Sequence, residues 1–166
     1  MTNDLQKRVI FGAIALAIFT PFLLAGGMAF QFFVGLLAMI ATAELVKMRR
    51  LAPNSIEGVL AMLASLVLTL PLQNYLTFLP TDGNYTAYAI VVFLLLGATV
   101  FNIGRYNYSD VVFPIASSFY VGIGFHSLVL ARMDGLNKVF FALCLVWATD
   151  IGAYMIGRQF GRRKLL

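Results

Sequence analysis

The sequence predicts an all-α polytopic membrane protein with about six transmembrane helices and a cytoplasmic N-terminus. Of its residues, 61% are hydrophobic and only 11% are charged, whereas roughly 25% of residues are charged in soluble domains. The mean hydropathy is +0.88. The apolar residues form long runs, and the cations are concentrated between alternate runs. These three observations favour a helical bundle whose surface faces lipid.

Six apolar segments approach the length of about 20 residues that a helix needs to cross the roughly 30 Å hydrocarbon layer. The first follows a basic pair and resembles a signal peptide, but no small-residue cleavage site precedes a soluble domain, so we interpret it as a span. The third is short unless residues 75–79 extend it. No linker divides the chain, which predicts one transmembrane domain over residues 1–166. The six predicted spans are residues 9–25, 28–46, 58–72, 87–103, 111–130 and 139–157.

The distribution of lysine and arginine predicts the orientation, because short loops rich in these residues remain in the cytoplasm. With the N-terminus inside, only Arg132 and Lys138 fall outside. The other ten cations fall on the cytoplasmic side: Lys7, Arg8, Lys47, Arg49, Arg50, Arg105, Arg158, Arg162, Arg163 and Lys164.

Two classes of function are disfavoured by the composition. The net charge of +5 could suggest a nucleic-acid partner, but a basic patch for that purpose would be clustered on a soluble face. We therefore predict no nucleic-acid partner. Cys144 is the single cysteine, so neither an internal disulfide nor a cysteine-rich zinc site is available.

Asp150 is the candidate functional residue, because it lies inside the sixth apolar segment. An aspartate at the centre of a span costs about 2.5–3.5 kcal/mol on insertion scales, so such a residue is a functional candidate by default. On a helix it shares a face with Tyr154, Gly157 and Gly161. The cations that follow, Arg158 and Arg162 among them, are either lipid anchors or phosphate contacts. The alternative for Asp150 is a carboxylate paired with another span and without catalytic duty.

The sixth segment also carries a specific resemblance. The chain reads Thr-Asp-Ile-Gly-Ala-Tyr at 149–154 and Gly-Arg-x-Phe-Gly-Arg at 157–162, with Lys-Arg-Val-Ile-Phe-Gly-Ala at 7–13 and Ala-Glu-Leu at 43–45. In these motifs the chain resembles the phosphatidate cytidylyltransferases, also called CDP-diacylglycerol synthases. The resemblance implies transfer of CMP from CTP to phosphatidate with Mg²⁺, giving CDP-diacylglycerol and pyrophosphate in phospholipid biosynthesis.

The resemblance also implies roles for individual residues. Asp150 and Tyr154 would be catalytic, with Asp150 as a metal ligand, and the substrate-binding residues would be Gly157, Arg158, Gly161 and Arg162. CTP, phosphatidate and membrane lipids would be the partners, and a homodimer is compatible with the family. The protein would lie in the cytoplasmic membrane, with its active site facing the cytoplasm.

The chain departs from the family by ending before the family's Ser-Pro-x-Lys-Thr segment and C-terminal signature. We therefore expect a C-terminally truncated portion of a larger enzyme that is inactive by itself. The main alternative is part of a transporter in which Asp150 is an intramembrane cation or proton site. A membrane scaffold is a third interpretation. The prolines Pro21, Pro71 and Pro114 fall near predicted span ends rather than at midplane breaks, which favours the enzyme.

Overall fold

The computed structural model describes residues 2–76, 83–101 and 108–160, and the side chains of residues 6–7, 10–76, 83–98 and 110–157. These residues form six α-helices and one turn of 3₁₀ helix at Leu72–Asn74. No strand occurs within the described ranges. The helices are α1 (Thr2–Ala25), α2 (Gly27–Met48), α3 (Ile56–Thr69), α4 (Gly83–Phe101), α5 (Tyr108–Asp134) and α6 (Leu136–Phe160).

Each of the six predicted apolar segments is a helix, which confirms the all-α class of membrane protein. Within the described residues, three helices are long and apolar enough to cross a membrane unaided: α2, most of α5 and most of α6. The apolar parts of α1, α3 and α4 are shorter, so six complete spans remain a prediction. α3 ends at Thr69, before the predicted end of the third segment at residue 72, because Leu70, which precedes Pro71, adopts extended backbone angles (φ −80°, ψ 137°).

The core is formed where α3 packs between α2, α4 and α5. Small residues permit this close approach, since a Cβ placed on Gly122 of α5 would lie 2.7 Å from Cβ of Leu68 on α3. On the other side of α3, Ser65 is fully buried and its hydroxyl lies 3.5 Å from the carbonyl of Ala38 on α2. The same hydroxyl donates a stronger hydrogen bond to Met62 within α3.

Polar side chains fix α4 against this core. The buried Tyr88 donates a hydrogen bond from its hydroxyl to the carbonyl of Ile115 on α5 at 2.9 Å. The carboxamide of Asn84 donates to the carbonyl of Leu70 and accepts from the N–H of Leu72 at 3.1 Å. The two bonds of Asn84 satisfy a carbonyl and an N–H group left where α3 ends before its proline.

The packing places the described cations at opposite ends of the bundle. At the end where α2 stops and α5 starts, the Arg49 guanidinium lies 5.9 Å from the ring centroid of Phe113. At the other end, Arg132 of α5 donates to the carbonyl of Leu23 in α1. This separation agrees with the predicted cation asymmetry, and which end faces the cytoplasm remains a prediction. Arg105, Arg162, Arg163 and Lys164 lie outside the described residues.

Candidate functional site

Asp150 lies on the part of α6 that leaves the bundle. The first turns of α6 pack against the end of α5, where Val139 is fully buried and Leu143 joins the same apolar cluster. Beyond Leu143 almost all of the helix is exposed. Only 6% of its most apolar 18-residue stretch is buried. Asp150 is therefore an exposed carboxylate on an apolar helix.

The carboxylate of Asp150 has no hydrogen bond or ion pair with any residue that the structure describes. Its neighbour Thr149 donates its hydroxyl to the carbonyl of Leu145 at 2.7 Å, so it satisfies its own polar group within the helix. The alternative interpretation requires a residue of another span that pairs with this carboxylate. The described residues contain no such partner. A free carboxylate at this position can accept donors or coordinate a cation.

The predicted companions of Asp150 fall on the same side of α6. Tyr154 follows one turn later and is 69% exposed, and a Cβ placed on Gly157 would have no neighbouring atom within 4 Å. Asp150, Tyr154 and Gly157 therefore form an open stripe along about 10 Å of helix. The side chain of Arg158, and all of Gly161 and Arg162, lie outside the described residues, so their proposed phosphate contacts stay predictions.

The residues present fit a magnesium site in part. Mg²⁺ in phosphoryl-transfer sites is commonly held by one or two carboxylates, with waters and substrate phosphates completing its six positions. Asp150 would supply one such carboxylate, and its oxygens have no partner among the described residues. Within the same residues no group of three or more His, Cys, Asp or Glu side chains converges. The described part of the chain therefore offers one carboxylate for such a site.

An apolar cleft of about 520 Å³ opens beside the same helix. It lies between α1, α2 and α6, and its walls include Phe19, Leu143 and Trp147. Trp147 precedes Asp150 by one helical turn, so the cleft approaches the carboxylate from within the apolar part of the bundle. Such a cleft suits a hydrocarbon chain, whereas the open stripe above it suits a polar headgroup.

Glu57 is a second carboxylate in an apolar helix, and sequence reasoning missed it. It is 1% exposed, and neither carboxylate oxygen has a hydrogen-bond partner among the described residues. The hydroxyl of Thr42 on α2 is also buried and has no partner in this part of the chain. Glu57 lies one residue before the predicted third span, where hydropathy places a connection. Ser55 is the sequence signal that could have predicted this position, because serine favours the N-cap of a helix. Its hydroxyl accepts a hydrogen bond from the N–H of Gly58 at 3.1 Å, and Glu57 therefore lies in the first turn of α3.

Two other intramembrane polar residues have local explanations, as the sequence suggested. Glu44 and Lys47 form an exposed ion pair at 2.6 Å, and His126 bonds the carbonyl of Thr69 through Nδ1 at 3.2 Å. Neither contributes to the stripe on α6.

Comparison with known proteins matches almost the whole chain. A family model described as "Cytidylyltransferase family" matches residues 6–166. A protein named phosphatidate cytidylyltransferase from Staphylococcus saprophyticus is 38% identical over 161 residues, which are 97% of this chain and 61% of the relative. Proteins of the same name from Staphylococcus haemolyticus and Staphylococcus aureus are 37% and 33% identical over the same shares. The chain thus spans about three fifths of the length of these relatives. No solved structure matches significantly.

Proposed function

Because the chain belongs to the cytidylyltransferase family, we propose that it acts in the transfer of CMP from CTP to phosphatidate. The products are CDP-diacylglycerol and pyrophosphate. The observation that carries the proposal is the carboxylate of Asp150, which is exposed on an apolar helix and has no partner among the described residues. Because an intramembrane acid is costly, a ligand that needs it is the simplest reason for its presence.

The reaction itself needs no protein nucleophile. A phosphate oxygen of phosphatidate attacks the α-phosphorus of CTP, a new P–O bond forms, and the bond to the bridging oxygen of the β-phosphate breaks to release pyrophosphate. The chain's task is to bring two anionic substrates together and to offset their charge. When bound, Mg²⁺ would neutralise phosphate charge and orient the phosphates for in-line displacement.

Asp150 would hold one position of that cation through a carboxylate oxygen. Tyr154, one turn further along the stripe, would donate its hydroxyl to a phosphate oxygen or a bound water. Gly157 would let a substrate approach the helix backbone, and Arg158 and Arg162 would contact phosphates. The exposure of Tyr154 and the open space at Gly157 support this arrangement, because neither is engaged in packing within the described bundle.

The lipid substrate accounts for the cleft between α1, α2 and α6. A phosphatidate molecule has two acyl chains that remain in hydrocarbon and a phosphomonoester that belongs in the headgroup layer. In the proposed pose one chain lies along the cleft past Trp147 while the phosphate reaches Asp150. The pose also explains why a soluble nucleotide and a membrane lipid can share one site, which we place on the cytoplasmic side.

The transporter alternative uses the same aspartate as a cation or proton site. Membership of the cytidylyltransferase family favours the enzyme, and no feature of the described residues favours transport.

The test is transfer of label from α-phosphate-labelled CTP. Membranes from cells that express the gene carrying this sequence should convert the label to a chloroform-soluble product when phosphatidate and Mg²⁺ are added. Diacylglycerol, which lacks the attacking phosphate, is the matched control and should give no labelled lipid. Label that stays water-soluble with phosphatidate, in membranes shown to contain the protein, would contradict the proposed reaction.

A further inference from the structure

A small polar cavity lies at the end of the bundle opposite the proposed active site. Its volume is about 320 Å³, and it is lined by Gly27, Phe30, Gln31, Arg132 and Met133, where α2 begins and α5 ends. The start of α6 lies at this same end, and Asp150 is about 21 Å further along α6. The cavity is therefore distinct from the stripe on α6.

Arg132 supplies a cation to this cavity. Its Nε donates to the carbonyl of Leu23 at 2.7 Å and one terminal nitrogen donates to the carbonyl of Leu24 at 3.1 Å. A guanidinium has five N–H donors, so three have no partner among the described residues. No described carboxylate pairs with it, because the nearby Asp134 is bonded to Lys138 at 2.8 Å.

Gln31 supplies a buried donor. Its side chain is 7% exposed, and its Oε1 accepts a hydrogen bond from the hydroxyl of Tyr75 at 2.5 Å. Its amide nitrogen donates to none of the described residues, although the residue lines the cavity. Because Gln31 lines an open cavity, this nitrogen is a donor available to an acceptor that enters the cavity.

The start of α2 adds backbone donors. The N–H groups of Gly27, Met28 and Ala29 have no hydrogen bond to a described residue, whereas that of Phe30 reaches the carbonyl of Gly26 at 3.2 Å. Gly26 has no side chain that could cap them. The N-terminus of a helix attracts anions through such groups and through the helix dipole.

Gly26 also permits the arrangement. Its φ of +63° suits glycine, and a Cβ at this residue would lie only 2.5 Å from the terminal nitrogen of Arg132. Any larger residue would push the guanidinium away from the turn between α1 and α2.

We propose that this cavity binds a phosphate group, presented by the headgroup of a phospholipid in the membrane leaflet at this end of the bundle. The polar groups that face it are donors, and one of them is a guanidinium, whose planar fork suits phosphate oxygens. The volume is at the lower end of the range of small-ligand pockets, which fits a headgroup phosphate rather than a nucleotide. The site lies where the helices end, and hence at headgroup depth.

The test compares lipids that differ in phosphate. The protein is purified in an uncharged detergent, and its thermal unfolding is followed during titration with phosphatidylglycerol, with a glucosyl diacylglycerol of the same acyl chains, or with inorganic phosphate at constant ionic strength. Phosphatidylglycerol should raise the unfolding temperature and the glycolipid should not. A plateau reached with inorganic phosphate alone, with no further rise from lipid, would assign the phosphate to a soluble source and still support the site.

The decisive variant is Gln31→Glu. It keeps an oxygen for the Tyr75 hydroxyl and leaves the contacts of Arg132 with α1 intact, but it places a negative charge in the cavity. The half-saturating concentration of phosphatidylglycerol should rise about tenfold or more. Lys138→Gln is the matched control, because it removes a cation at the same end but outside the cavity, and it should titrate like the wild type.

If Gln31→Glu does not fold, Gln31→Met removes the donor without adding charge and should weaken lipid stabilisation several-fold. Equal titration of the wild type and the folded Gln31 variants would overturn the proposal, as would equal stabilisation by the glycolipid. An equal loss in Lys138→Gln would also overturn it, because the effect would then be general attraction between charges.

Discussion

The substitution Asp150→Asn tests the proposed active site most directly. It keeps the size of the side chain and removes its charge. Because Asp150 has no hydrogen bond or ion pair with a described residue and is exposed, the change breaks no contact of the described bundle. An uncharged side chain also inserts into the membrane more readily than aspartate. We therefore expect the variant to reach the membrane in normal amounts.

Activity should respond very differently. If the carboxylate holds a cation against the substrate phosphates, its loss should lower the rate at least about a hundredfold, which corresponds to about 2.7 kcal/mol of transition-state stabilisation. The amide oxygen remains a weak ligand, so the Mg²⁺ concentration that gives half-maximal activity should also rise. Tyr154→Phe should cost less than Asp150→Asn, because a hydroxyl beside the phosphates contributes less than a charge on the cation.

Labelled CTP and phosphatidate supply the assay, run across a Mg²⁺ titration and normalised to the amount of protein in the membrane. Thr149→Val is the matched control: it alters the adjacent polar residue, whose hydroxyl bonds only its own helix, and it should retain nearly full activity. If Asp150→Asn turns over CTP at the parental rate at every Mg²⁺ concentration, Asp150 has no role in catalysis.

Three further predictions concern packing, topology and the buried acid. Gly122→Ala should destabilise the bundle by about 1–3 kcal/mol in a thermal unfolding assay, because the added Cβ would lie 2.7 Å from a leucine of α3. Gly97→Ala is the control, because it has open space around it, and it should be neutral or stabilising in that assay. In a cysteine-free background and sealed cells, a cysteine at Met48 should be shielded from an impermeant thiol reagent and one at Asn137 labelled, and the reverse pattern would invert the topology. Glu57→Gln should leave the unfolding temperature unchanged or higher, since it replaces a buried carboxyl group that has no partner among the described residues, and a marked fall would mean that the carboxyl group is paired.

Much of the fold follows from the membrane environment that the apolar composition indicates. In hydrocarbon, the N–H and C=O groups of a long apolar segment must form hydrogen bonds within that segment, so such a segment forms a helix. Helix ends were harder to predict, because they depend on local chemistry within the polar connections. Thus α3 begins at a serine cap and ends at the residue before a proline, and both features lie at the margins of the apolar run.

The partners of each helix could not be predicted from hydropathy. Lipid and leucine are equally apolar, so the pattern does not say which face of a span meets a neighbour. Gly122 and Ser65 mark the contact faces of α5 and α3 only once the helices are placed together. The cavity lined by Arg132 could not be predicted either, because its donor groups come from residues about 100 positions apart in the chain.

Asp150 and Glu57 show what insertion cost can and cannot reveal. Asp150 and Glu57 both lie in apolar helices, and both are unpartnered among the described residues. Their surroundings are opposite, because Glu57 is enclosed where α3 packs between its neighbours, whereas Asp150 stands on a bare helix beside an apolar cleft. Of these two acids, a substrate phosphate can reach only Asp150 without rearranging the core, so the proposed chemistry rests on Asp150.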